Sequence, residues 1–404
     1  MRIELVSEHA NPLAAVGGVD AGGQNVHVAA LAAGLVRRGH DVVVSTRRDD
    51  RRTPQQVHAP DGYVVEHVPA GPPTEVPKDD LLSHMAEMAA HLGRRWSEEP
   101  PDIVHAHFWM SGVAATSAAA VIGLPVVQTF HALGTVKRRY QGDRDTSPPG
   151  RIATEARLCQ SVARVLATCR DEVAELTVMA LDPSRAAVVP CGVDTTLFTP
   201  SPPPAGDRPR LLVVGRLVER KGVADVVTAL ADLPGVDLLV AGGPSAEGLV
   251  VDPEAVRLRE LAEANGTADR LHLLGSVPRA EMPALLRSAD VVVAVPWYEP
   301  FGIVPLEAMA CGRPVVGSAV GGLLDTVVHG VTGDLVPPRR PDVLAATLRA
   351  LLADPSRRAA YAQEGVRRVR ARYDWERVSA DTEAVYAEVL AGVRRRRTTV
   401  EVLR

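Results

Sequence analysis

Short apolar runs alternate along the chain with stretches whose apolar residues recur every three or four positions. Residues 2–7, 41–45, 63–68, 102–107, 125–130 and 164–168 are runs of the first kind, rich in Val, Ile and Leu or closed by polar residues. Their length and composition predict buried strands. Between the first two, Val28, Leu31, Ala32, Leu35 and Val36 share one helical face, and Gly39 follows as a C-cap. Strand, glycine-rich loop, helix, strand is a βαβ unit, for which a right-handed crossover is expected. The alternation returns at 211–214, 236–241, 271–274, 290–295 and 314–316, with helical patterns up to Leu230 and over 341–353, 356–372 and 375–393. This predicts an α/β protein with two doubly wound parallel sheets in separate domains. Pro200-Ser201-Pro202-Pro203-Pro204-Ala205-Gly206-Asp207 is the clearest linker, because proline stiffens it and removes amide donors. The boundary falls there or slightly earlier, near Cys191. No sequence repeat accompanies the two similar halves.

Composition narrows the classes. A chain of 404 residues suits two or three domains of ~100–200 residues each. Hydrophobic content of 46% and charged content of 23% are ordinary for a globular protein, and a net charge of −4 gives no general affinity for nucleic acid. Arg47, Arg48, Arg51 and Arg52 lie among prolines and aspartates without interleaved aromatics, so residues 45–62 read as a solvated excursion. Arg394–Arg397 reads as a frayed, solvated tail, with contact to an anionic membrane as the alternative. Met1-Arg2-Ile3-Glu4 enters a strand without an apolar leader, and no run of about eighteen apolar residues exists. A cytoplasmic protein with no integral membrane segment is expected. Cys159, Cys169, Cys191 and Cys311 have no metal-ligand spacing and read as reduced core thiols.

The most informative stretch runs from Trp297 to Val316. It follows a strand, turns through Pro296, Pro300 and Gly302, and enters a helix near Pro305, where proline suits the first turn. Glu299 and Glu307 are eight residues apart (307 − 299), one at the strand's C-terminal end and one in the first turn of the helix. That edge is where open parallel sheets hold ligands. Backbone N–H groups from Phe301, Gly302, Ile303 and Val304 at a helix start suit an anion such as a diphosphate. The two carboxylates, as pure acceptors, suit sugar hydroxyls. Arg216 and Lys221 flank another strand end and could neutralise a departing diphosphate. In the first half, Gly17-Gly18-Val19-Asp20-Ala21-Gly22-Gly23-Gln24-Asn25 matches neither G-x-G-x-x-G nor a P-loop, yet its glycines allow close approach to a phosphate. His131 closes a strand on the same side and could titrate near neutrality. Asp143 and Asp145 lie in a proline-bounded loop and are rejected as a metal-binding pair.

Glu299…Glu307 resembles the glutamate-spaced signature of the retaining glycosyltransferases of family four, which have the GT-B fold. Asp-Ala-Gly-Gly-Gln-Asn-Val-His-Val is similar to the loop of sucrose-phosphate synthases and of the actinobacterial mycothiol glycosyltransferases, which take an inositol phosphate acceptor. The resemblance covers residues 1 to about 390 and implies a division of labour. Residues 1–191 form the acceptor domain and 192–375 the nucleotide-sugar domain, while 376–404 form a helix returning to the first domain plus the basic tail. Glu299 and His131 would contact the donor sugar, Glu307 the ribose and the backbone near Val277 the base. Gly22, Gly23, Arg216 and Lys221 would meet the diphosphate, and His131, Glu299, Arg216 and Lys221 would carry catalysis. Asn25, Lys78, Phe108, Ala132 and Arg151 would face the acceptor, Lys78 being exposed by default. Two departures bear on that acceptor. The mycothiol enzymes carry tyrosine where this chain has Phe108 and threonine where it has Ala132, so two hydroxyl donors to a phosphate are missing.

The resemblance therefore implies hexosyl transfer from a nucleotide-diphosphate sugar, with UDP or GDP as first choices, to a small polyol, sugar or sugar phosphate. It implies a front-face route without cofactor or obligatory metal. The chain could form a homodimer. A sucrose-phosphate-synthase-like enzyme, a natural-product glycosyltransferase, a nucleotide-sugar epimerase and a non-catalytic nucleotide-sugar-binding protein stay open as alternatives.

Overall fold

The structure, a computed structural model, describes residues 1–14, 23–201 and 208–402, with side chains in the last helix described to Arg395. The chain divides into two compact units: Met1–Cys191 together with Trp375–Arg404, and Gly192–Asp374. The proline-rich stretch from 202 to 207 lies outside the described residues.

In the first unit, β1 (Arg2–Val6), β2 (Asp41–Arg47), β3 (Gln56–His58), β4 (Val64–Val68), β5 (Ile103–His107), β6 (Val126–Thr129), β7 (Arg164–Ala167) and β8 (Ala186–Val188) build one sheet. Their order is β3-β4-β2-β1-β5-β6-β7-β8. Only the β3–β4 pair is antiparallel. β3 lies inside the segment expected to be a solvated excursion; three residues are too few to show a strand period. Arg47, expected in solvent there, is buried at the end of β2 and donates to the carbonyls of Pro72 (2.7 Å) and Thr74 (2.6 Å). It satisfies acceptors that an irregular loop cannot pair with itself.

The helix Trp375–Val402 completes this unit. Trp375, Val378 and Tyr386 join Ile3, Leu5, Leu31, Leu35, Val44 and Ile103 in one core. Arg37 pairs with Glu376 at 2.7 Å and Arg164 with Glu388 at 2.9 Å along its rim. The helix runs on through Arg394–Arg397, so the segment expected to fray is helical.

In the second unit, β9 (Arg210–Val214), β10 (Asp237–Ala241), β11 (Leu271–Gly275), β12 (Val291–Ala294), β13 (Val315–Ser318) and β14 (Gly333–Val336) form an all-parallel sheet in the order β11-β10-β9-β12-β13-β14. Leu211, Val213, Val226, Leu230, Leu238, Val240, Val291 and Val293 pack with Leu344 and Leu348. Strands covered on both faces read as continuous apolar runs, which is why the pattern was so legible.

Each sheet reverses its strand order once. β1 pairs with both β2 and β5, and β9 pairs with both β10 and β12. The loops leaving the C-terminal ends of such neighbouring strands diverge to opposite faces and leave a crevice between them. Those loops carry most of the candidate residues.

Candidate functional site

In the second unit, the loops after β9 and β12 flank the reversal point. Gly222 has φ 71°, and a Cβ there would lie 2.1 Å from the Val295 carbonyl oxygen, so glycine lets the two loops touch. The Trp297 N–H donates to the Arg220 carbonyl at 2.9 Å. This contact brings Lys221 Nζ within 2.5 Å of Glu299 Oε2. Burial works to raise the Glu299 pKa, but the charge and hydrogen bond of Lys221, with the charges of Arg220 and Arg216, outweigh it and hold the carboxyl below its usual range. Arg216 is exposed beside them. The sequence points Lys221 to a phosphate and Glu299 to a sugar; in the structure the two side chains pair with each other.

The following helix spans Ile303–Ala310, with Gly302 at φ 92° as its N-cap and no side chain capping it. Phe301 and Gly302 are buried, while Ile303 and Val304 are half-buried. Because the helix begins two residues before Pro305, Glu307 lies in its second turn, not the first. Glu307 is buried and accepts from Arg279 Nη1 at 2.8 Å. Burial pushes its pKa up, and the Arg279 charge and hydrogen bond only partly oppose that. Val277, half-buried, lies two residues before Arg279 in the same loop after β11.

In the first unit, Gly22 lies outside the described residues and Gly23 is the exposed first residue of the helix Gly23–Arg37. Asn25 is buried and its amide donates to the Asn11 carbonyl at 3.0 Å, which commits one of its donors to the loop after β1. Phe108, directly after β5, is buried with φ 79°. A non-glycine residue there is strained and is held by its surroundings. Lys78 Nζ sits 4.0 Å from the Phe108 ring centroid, a cation–π distance. Lys78 is therefore half-buried over the ring, not exposed as expected. The Arg151 guanidinium stands 5.1 Å from the same ring. It is 5% exposed and donates to Glu155 Oε1 (2.7 Å), Ser147 Oγ (3.2 Å) and the Ala132 carbonyl (2.8 Å). Lys78, Phe108, Ala132 and Arg151 thus come together, with most of Arg151's donors already used.

His131 follows β6 with φ 61° and joins a buried group of imidazoles. Its Nε2 lies 3.0 Å from His107 Nδ1. His105 lies tilted against His107 at 4.1 Å between centroids, and its own nitrogens meet Tyr386 Oη (2.7 Å) and Thr129 Oγ1 (2.9 Å). Burial first, and then the neighbouring histidines, push His131 well below the ordinary histidine range. The expectation that it titrates near neutrality is corrected: an imidazole packed among other imidazoles, with most of its surface removed from water, stays uncharged at physiological pH.

The residues matched by "Glycosyltransferase Family 4" are 21–197, and those matched by "Glycosyl transferases group 1" are 195–368. A D-inositol 3-phosphate glycosyltransferase of Kineococcus radiotolerans is 36% identical, covering 95% of this chain and 94% of its own. One from Xylanimonas cellulosilytica is 37% identical over 96% of both. Among solved structures, sucrose-phosphate synthase from Thermosynechococcus elongatus superposes with a TM-score of 0.87 at 30% identity, covering 97% of this chain and 100% of that one. The chain belongs to family four of the GT-B glycosyltransferases.

Several residues of this glycosyltransferase escaped sequence reading. Glu8 and His9 follow β1 at the reversal point; His9 Nδ1 is 2.7 Å from Glu8 Oε1, and its ring meets Phe108 edge-on at 5.0 Å. Burial opposes ionisation of Glu8, yet His9, Ser111 and Lys78 hold its pKa below the usual range. Their place at the end of the first strand was the signal available. Arg279 and Arg220 were hidden because each acts through a partner far along the chain. Among the described residues, no helix is long and apolar enough to cross a membrane.

Proposed function

We propose that this glycosyltransferase moves a hexosyl group, with retention at the anomeric carbon, from a nucleotide-diphosphate sugar to a small hydrophilic acceptor. The observation that carries the reading is the pair of cation-held carboxylates in one unit: Lys221–Glu299 at 2.5 Å and Arg279–Glu307 at 2.8 Å. Glu307 accepts from the ribose hydroxyls, the loop around Val277 receives the base, and Glu299 accepts from the sugar. Lys221 and Arg216, with amides from Phe301 to Val304 at an uncapped helix start, bind the diphosphate.

As the anomeric C–O bond breaks, negative charge grows on the diphosphate oxygen, and Arg216 and Lys221 stabilise it. That oxygen takes the proton of the incoming acceptor hydroxyl while the new C–O bond forms on the same face. Fixed cations supply what a metal supplies elsewhere, so no metal is required. His131, uncharged, lies against the sugar and does not exchange a proton. The acceptor rests on Lys78, Phe108, Ala132, Asn25 and Arg151, and lies in the class of polyols, sugars and sugar phosphates. With the phenylalanine and alanine departures, and Arg151 bound to Glu155, an unphosphorylated acceptor is favoured.

A thermal-shift panel of UDP, GDP and ADP with their sugars tests the donor, followed by mass spectrometry of acceptor mixtures. A correct nucleotide at ~100 Kd stabilises by about 2.7 kcal/mol. No shift with any nucleoside diphosphate would overturn the assignment.

A further inference from the structure

The imidazole group beside β5 and β6 contains a geometry that sugar transfer does not use. One ring nitrogen each from His27, His107 and His131 lies within 4.8 Å of the other two. A fourth ring, His105, is excluded as a ligand because both its nitrogens are hydrogen-bonded. Two nitrogens of the group, His27 Nδ1 and His107 Nε2, are buried and have no hydrogen-bond partner. Leaving a buried ring nitrogen unpaired is unfavourable, and a shared ion would satisfy the one on His27. His27 and His107 are 5% and 0% exposed, while His131 is partly open and gives an ion a way in.

We infer that His27, His107 and His131 form a three-histidine site for a divalent transition-metal ion of the zinc class, and that its occupancy shuts the enzyme off. Three imidazoles with one open position are a set that zinc accepts, at about 2.0–2.1 Å per nitrogen. Nitrogens in such a tetrahedron stand roughly 3.3 Å apart. The His107 Nδ1–His131 Nε2 contact of 3.0 Å is close to that already, which makes Nδ1 the ligand atom of His107 and leaves its Nε2 outside the set. Small χ rotations bring His27 in, its ring now lying edge-on to His131 at 5.0 Å and to Trp375 at 5.4 Å. His105, in ring contact with His107 and anchored to Tyr386 and Thr129, holds the central ligand in place. A metal on His131 removes that ring from the donor sugar, so the ion inhibits instead of assisting. The inhibitory part rests on the transfer reading above; the binding part does not.

The test uses the full chain with Co²⁺ as the spectroscopic probe and Zn²⁺ as competitor, without substrate. One Co²⁺ per chain with visible ligand-field bands, displaced by Zn²⁺, is expected. His27→Phe, which fills the ring's space without a ligand nitrogen, should weaken Co²⁺ binding at least tenfold, and His131→Ala should do the same. Anomalous diffraction from Zn²⁺-soaked crystals should place the ion among the three rings. In turnover assays, micromolar Zn²⁺ should inhibit, EDTA should restore the rate, and His27→Phe should resist inhibition. Absence of Co²⁺ bands, a peak elsewhere, or equal binding by a folded His27→Phe variant overturns the site. Metal binding without any sugar transfer would overturn the functional reading and leave the site standing.

Discussion

Arg279→Ala is the sharpest probe of the proposed nucleotide site. The contact is a charged hydrogen bond of 2.8 Å between Glu307, 5% exposed, and Arg279, 32% exposed. Charge-assisted bonds contribute ~1.5–3 kcal/mol, and the partial exposure of the arginine places this one near the lower end. Losing ~1.4 kcal/mol of carboxylate positioning weakens nucleoside diphosphate binding about tenfold. Sign and pH follow from the same pair. Burial already lifts the Glu307 pKa and Arg279 pulls it back. Without Arg279 the carboxyl climbs further, so it protonates sooner as pH falls and fewer acceptor lone pairs meet the ribose. The deficit should therefore widen as pH falls and narrow towards pH 8. Calorimetry with the preferred diphosphate across that range measures it. Arg279→Lys, which keeps the charge but not the fork, should recover part of the affinity. In a Glu307→Ala background, Arg279→Ala should cost little, since its partner is gone. Wild-type affinity in the single variant, or an undiminished effect in the double, would refute the argument.

Glu307→Ala alone should weaken nucleotide binding by tenfold or more in the same calorimetry. Arg216→Ala should depress kcat by about 10²–10³ while changing nucleotide affinity less, because its charge matters most as the diphosphate departs. Gly222→Ala sets a Cβ against the Val295 carbonyl at 2.1 Å with φ 71°, and should lower unit stability by about 1–3 kcal/mol in urea melts while moving Lys221 off Glu299. Phe108→Tyr with Ala132→Thr should lower KM for a phosphate-bearing acceptor by tenfold or more and leave the donor KM unchanged.

The sequence revealed what repeats along it. Buried parallel strands are continuous apolar runs, and strand ends carrying glycine, arginine and glutamate pointed to the edge where Lys221 and Glu299 lie. What stayed hidden depends on partners distant in the chain. Arg47 looked solvated because the carbonyls it satisfies, Pro72 and Thr74, lie 25 and 27 residues on. Lys78 looked exposed because nothing local announces a ring 30 residues away (108 − 78). His131 looked titratable because the residues that surround it, His27, His105 and His107, come from two other elements. Spacing locates a side chain along one element; it does not report which element packs across from it.

The helix that begins at Trp375 belongs to the unit that begins at Met1, while residues from Gly192 to Asp374 build the other. Two connections therefore leave and re-enter the first unit, and they meet where the Val193 N–H donates to the Tyr373 carbonyl at 2.7 Å. During synthesis the N-terminal sheet emerges roughly two hundred residues before Tyr386 can seal His105 and the hydrophobic face around it. The intervening unit has all its strands by then. The part made first is the part finished last, so a chain cut short by even its final helix leaves the ribosome with that imidazole group open to water.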